Sequence, residues 1–312
     1  MREHATLVGA ERGLVTIVTD PPRSAAEPGN GLAAIFLNAG VIHRVGPSRL
    51  YVQLARELAR DGWVGARFDH AGIGDSPARR DGLPFEECAI SEVREVMDSL
   101  EHTRGIRRFV LIGLCSGAVT AFEAAGVDPR VVGAVLINPQ GFNGSLEWNT
   151  YVVNRAQARK YWTRSLFSVA SWRKALTGRA DYRRICAVLW QRASAARSAE
   201  PRITAVATRV ATRLHDMLAR GVKVLLVCSE GDEGFEYMRV ILGRDVRRMT
   251  PANLTVATLP GADHSLTLRD GHAHVLENVR SWSAGLTAPA AASEGREAGQ
   301  LAGVTAGAAV SS

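Results

Sequence analysis

The sequence predicts a layered α/β domain on a mostly parallel sheet, interrupted late by a helical insertion. Apolar runs of strand length alternate with segments whose apolar residues recur at helical spacing. Strands that alternate with helices pair in parallel, with helices on both faces. The rhythm breaks between Gln140 and about His215, where Arg- and Trp-containing, helix-compatible segments run without a convincing strand.

In chain order, Leu14–Thr19 is a β-branched run suited to an edge strand, and a Pro/Gly/Ser turn then leads into the buried strand Leu32–Leu37. From Ser48 to Arg60, Leu50, Tyr51, Leu54, Leu58 and Ala59 repeat at helical spacing, and Asp61-Gly62 closes the helix. A strand in Trp63–Asp69 follows, then a helix over Ile90–His102, a strand over Arg108–Leu114, a helix over Ser116–Ala125 and a strand over Val131–Asn138. After the insertion come the strand Val222–Ser229, a helix near Phe235–Leu242, the strand Leu254–Leu259 and a last helix near His272–Trp282. Residues 12–140 and 216–285 are thus the expected core, 141–215 a helical lid, and 286–312, Ala/Gly/Ser-rich, a disordered tail.

With 312 residues, 46% hydrophobic and 22% charged, the chain can bury a large core, and whole-chain disorder and collagen-like composition are excluded. No apolar run approaches the ~18 residues of a membrane span, and MREHATLVGAERG lacks the apolar stretch of a secretory signal, so a cytoplasmic location is expected. Cys88, Cys115, Cys186 and Cys228 are widely spaced without a C-x-x-C, which favours free thiols over bridges or zinc ligation. No cofactor or metal is called for.

Net charge is +7, yet residues 141–222 carry 15 Lys and Arg against four acids. The basicity is local to the expected lid, which points to an anionic or carrier-bound substrate rather than to nucleic acid. The bland alternative is that these arginines face solvent on good helix-forming segments.

The strand Arg108–Leu114 runs straight into Gly113-Leu114-Cys115-Ser116-Gly117, a small-x-nucleophile-x-small pattern at a strand-to-helix turn. A nucleophile on such a strained turn needs small residues two before and two after it, so that strand and helix can approach. By that spacing the nucleophile is Cys115, and Ser116, flanked by Leu114 and Ala118, is disfavoured. A cysteine at a helix N-terminus feels the positive end of the macrodipole, which favours thiolate. The bland alternative is a buried structural cysteine.

The partners of such a nucleophile follow as acid and then base, on loops after later strands. Asp232 follows Val222–Ser229 and stands where it would orient an imidazole, with Glu230 and Glu233 as competitors. His264, beyond Leu254–Leu259, stands where a general base is needed. Backbone N–H groups of Ser116 and of the glycine-bearing loop after Leu37, with Val41 as the chosen donor, would hold an oxyanion. The Gly-rich stretch Arg67–Ser76 lacks the lysine and spacing of a phosphate loop and reads as a structural turn near the site mouth.

The ordered set FLNAG, RFDHAGIGDS, GLCSG, VLLVCSEGD and PGADHS resembles the α/β-hydrolase fold superfamily over about residues 12–285. Its wording is similar to the bacterial serine-aminopeptidase-like branch, including hydrolases associated with exosortase systems. The resemblance implies an eight-stranded, mostly parallel sheet, a lid after Val131–Asn138, and acyl transfer on a triad. The departure is cysteine where most members carry serine; dienelactone hydrolases and polyhydroxyalkanoate synthases are similar at this point. A thiolate expels a thiolate leaving group readily and an amine poorly, which favours thioesters and activated esters over peptides.

Three functions compete. One is an ester or thioester hydrolase working through acyl-Cys115, and a second is an acyltransferase with the same intermediate. The third is a non-catalytic binding protein with an inert Cys115.

Overall fold

Every residue of Leu32–Leu37 is buried, as a strand covered on both faces requires. In the computed structural model, which describes residues 1–9, 13–22, 31–142, 205–230, 238 and 252–287, this run is the third strand of a single sheet. The strands are β1 (Arg2–Val8), β2 (Leu14–Asp20), β3 (Leu32–Leu37), β4 (Val64–Phe68), β5 (Arg108–Leu114), β6 (Val131–Ile137), β7 (Lys223–Ser229) and β8 (Leu254–Leu259). Their order is β1-β2-β4-β3-β5-β6-β7-β8. The pairs β1–β2 and β2–β4 are antiparallel and all others parallel, with Leu37 opposite Gly113 and Leu114 opposite Ile137.

The helices are α1 (Leu50–Arg60), α2 (Phe85–Arg104), α3 (Ser116–Val127), α4 (205–219) and α5 (Arg269–Thr287). Alternate strand residues feed two cores, as a period of two demands. Ala33, Ile35, Leu37 and Leu111 pack with α2, α3 and α4 on one face. Leu32, Ala34, Phe36, Val110 and Ile112 pack with α1 and α5 on the other.

The structure departs from the sequence reading in four places. β1 adds a strand before residue 12; its charged REHATLV gives only weak alternation because it is an edge. Its Glu3 turns back onto the sheet, accepting hydrogen bonds from Arg56 at 2.6 Å and from the buried Arg67 at 3.1 Å. α2 is longer than expected, starting after Pro84 with Glu86 and Glu87 in its first turn and ending at the left-handed Gly105. α4 lies at the end of the expected lid, yet Val206, Val210, Leu214 and Met217 are buried in the core. α5 runs on to Thr287 with Leu286 buried, past the expected start of the tail.

The rest of the expected lid (143–204), the expected helix Phe235–Leu242 apart from Met238, and the tail from 288 lie outside the described residues. Among the described residues no helix is long and apolar enough to cross a membrane.

Candidate active site

Six mutually parallel strands lead their C-terminal ends to one edge of the sheet, and Cys115, Val41 and His264 lie in the turns and loops there. Cys115, between β5 and α3, has φ 58° and ψ −121°, a conformation costly for any residue with a Cβ. The flanking glycines permit it. A Cβ on Gly113 would lie 2.2 Å from the Gly117 carbonyl, and one on Gly117 would lie 2.5 Å from the carbonyl oxygen of Asn38. The strained residue is Cys115, while Ser116 is already the first residue of α3. Cys115 is half-buried, and its N–H donates to the Ile137 carbonyl at 2.9 Å.

The next residue, Asn138, is buried with φ 43°, a left-handed conformation that asparagine tolerates better than most. Its Nδ2 donates to the His264 carbonyl at 2.9 Å and to Ser229 Oγ at 2.9 Å, and its Oδ1 accepts the Ser229 N–H at 2.7 Å. Ser229 Oγ in turn donates to the Asp263 carbonyl at 3.0 Å. The backbones of Cys115 and His264 are therefore tied to consecutive residues, Ile137 and Asn138. Burial opposes the Asp263 charge, but hydrogen bonds led by the Thr267 N–H, at 2.8 Å, hold its carboxyl below the usual range.

The loop after β3 carries the expected oxyanion donor. Val41 is 89% exposed, in a turn closed by an Ile42 N–H to Ala39 carbonyl bond of 3.1 Å. The amide that meets the elbow is that of Gly40, which donates to Ser116 Oγ at 2.9 Å. Of the acid candidates, Glu230 is exposed, its N–H donating to the Leu259 carbonyl at 2.8 Å, and Asp232 and Glu233 lie outside the described residues.

Arg67–Ser76 is organised as a turn around a fully buried carboxylate. Asp69 accepts bonds from Asn38 Nδ2 at 3.2 Å, the Arg44 N–H at 2.6 Å, the Asp75 N–H at 3.2 Å and the Arg44 guanidinium. A Cβ on Gly74 would lie 2.3 Å from Asp69 Oδ2. Burial weighs against the Arg44 charge, but Asp75 and Asp69 more than offset it and hold its proton more firmly. Asn38 Nδ2 also donates to the Ile42 carbonyl at 3.0 Å, so this buried cluster fixes the loop bearing Gly40.

The sequence reading missed Asn38, Asp69, Asn138 and Ser229. The available signal was a polar residue ending a wholly apolar strand, as in LNAG and INPQ. Cys88 and Cys115 are free thiols, and no cluster of three or more His, Cys, Asp or Glu suited to a metal occurs among the described residues.

Known proteins are consistent with this architecture. Proline iminopeptidase from Mycobacterium smegmatis has TM-score 0.51 and 18% identity, covering 91% of this chain and 100% of that one. A proline iminopeptidase-related protein from Thermus thermophilus has TM-score 0.55 and 18% identity, covering 92% and 99%. Est1E from Butyrivibrio proteoclasticus, solved with ferulic acid, has TM-score 0.54 and 13% identity, covering 88% and 96%. No curated protein matches the sequence. The profile described as "Alpha/beta hydrolase family" matches residues 34–275, and with the strand order and the elbow the chain belongs to that family.

Proposed function

We propose that the protein is a hydrolase that cleaves an ester or thioester through an acyl-Cys115 intermediate. The observation that carries this reading is the left-handed Cys115 at the β5–α3 turn, with glycines at the two positions where a Cβ would collide. Strain of this kind persists where it presents a side chain for reaction.

In this reading His264 takes the Cys115 thiol proton as Sγ attacks the substrate carbonyl carbon. The carbonyl π electrons pass to oxygen, and Asp232 orients His264 and stabilises its cation. Backbone N–H groups hold the oxyanion: Ser116 with a donor from the loop after β3. The Gly40 contact with Ser116 supports Gly40 for that role over its neighbour Val41. Collapse of the intermediate expels the alcohol or thiol, which leaves with the proton from His264. Water, deprotonated by His264, then attacks the thioester, releasing the acid and restoring the thiol.

The 15 Lys and Arg of residues 141–222 support an anionic or carrier-bound acyl substrate, and a cytoplasmic setting fits free thiols. Exposure to acyl thioesters and activated esters, followed by intact mass spectrometry, tests the reading. A transient gain of one acyl group that decays in water is expected. Decay only on adding an alcohol, amine or thiol acceptor would make the protein a transferase, and absence of adduct and turnover would favour a binding role.

A further inference from the structure

The elbow is supported from below by a group that the acyl-transfer steps do not use. The Cys115 N–H faces β6, where it meets Ile137, so by strand alternation the Leu114 N–H faces the β3 side. There the ladder has already ended, with Leu37 opposite Gly113. A buried amide without a partner would be costly, and Tyr51 supplies the partner, its hydroxyl accepting the Leu114 N–H at 2.9 Å.

Tyr51 sits in the first turn of α1, fully buried, its ring 5.5 Å from that of Phe36. The chain before it is contorted to cover the ring. Gly46, Ser48 and Arg49 all have positive φ, at 71°, 45° and 65°, and a Cβ on Gly46 would lie 2.6 Å from Tyr51 Cγ. Two non-glycine residues in the left-handed region mark a turn held there by its surroundings. Burial drives the Tyr51 phenol well above its ordinary range; the Leu114 bond opposes this and the charge of Cys115 adds to it. The hydroxyl therefore stays protonated.

We propose that Tyr51 is a positioning residue for the nucleophile: its buried hydroxyl replaces the missing strand partner of Leu114 and fixes the backbone from which Cys115 Sγ is presented. Ile137 holds the elbow from one side and Tyr51 from the other. The proposal rests on Cys115 being the nucleophile.

Tyr51→Phe tests it, because the ring and its packing remain while the hydroxyl is removed. The rate of Cys115 acylation by p-nitrophenyl acetate, followed by intact mass, is expected to fall by on the order of tenfold. The loss falls on kcat, with KM within twofold, while circular dichroism and the melting curve still report a folded protein. Alkylation of Cys115 by iodoacetamide, mapped by peptide mass, slows with it and needs no turnover. Acylation and alkylation rates within twofold of the parent, or losses that only track the folded fraction, would overturn the proposal. Cys115→Ala run alongside separates the two ideas: persistent turnover would defeat the nucleophile reading, and the alkylation rates would still decide the role of Tyr51.

Discussion

Asn138 Nδ2 donates to the carbonyl of His264 across 2.9 Å, joining the end of β6 to the loop after β8. The residue before Asn138 accepts the N–H of Cys115, so a two-residue segment sets the separation of the candidate nucleophile and base. Ser229 accepts from the second amide hydrogen and donates its N–H to Oδ1, which leaves the Asn138 carboxamide one orientation.

Asn138→Asp isolates this clamp, since aspartate also tolerates a left-handed φ and can still accept the Ser229 N–H. It cannot donate to the His264 carbonyl or to Ser229 Oγ. Activity on an ester substrate is expected to fall by on the order of tenfold to a hundredfold. Stability is expected to fall by about 1–3 kcal/mol in urea titration. An unchanged kcat beside the same loss of stability would show that the clamp serves the fold alone.

Gly113→Ala and Gly221→Ala separate steric crowding from backbone strain. At 113 the new methyl meets the Gly117 carbonyl at 2.2 Å, whereas at Gly221, φ 84°, nothing lies within 4 Å. Gly221→Ala is expected to cost about 1–2 kcal/mol from its left-handed φ. Gly113→Ala is expected to cost about 3 kcal/mol or more, or to abolish folding. Equal midpoints in urea for the two variants would contradict this.

Asp69→Asn leaves the largely buried Arg44 guanidinium without its buried partner, although the exposed Asp75 still pairs with it at 2.6 Å. Breaking one side of a buried pair costs about 3–5 kcal/mol, and the retained pair with Asp75 places this variant near the lower figure. Proteolysis within residues 38–44 should rise as the loop loses its anchor. A variant as stable and as resistant as the parent would refute that role.

Asp128 gives a pH dependence. Burial works against its charge, but the Arg130 side chain and N–H outweigh it, with bonds of 2.9–3.1 Å and help from Arg94, so the folded carboxyl titrates below its ordinary range. A lowered folded value means stability that is present above the unfolded value of about 4 and lost as pH falls through the folded one. Asp128→Asn is expected to melt earlier than the parent at pH 7, with the gap narrowing as the pH falls below about 4. Parallel melting curves across that range would count against the ion pair.

The parallel core was legible because β3, β5, β6 and β7 are apolar runs of strand length, a signal that burial on both faces imposes. β1 was not, since an edge strand carries Arg2, Glu3 and His4 and owes its place to pairing with β2. The elbow was legible because the crowding of Gly113 against Gly117 is written in the residue types themselves. The supports of the site were not: Asn138, Asp69 and Tyr51 act through contacts to residues 126, 25 and 63 positions away, and no local pattern encodes them. The oxyanion loop fell between these cases. Its glycine was visible, but which amide meets Ser116 depends on the tight turn from Ala39 to Ile42.

Peptide mapping of the protein quenched within seconds of mixing with an acyl thioester decides whether Cys115 carries the acyl group. One acyl group is expected on the peptide containing Cys115, lost together with turnover in Cys115→Ala and retained in Ser116→Ala. An acyl group on Ser116, or turnover that survives in Cys115→Ala, would contradict it.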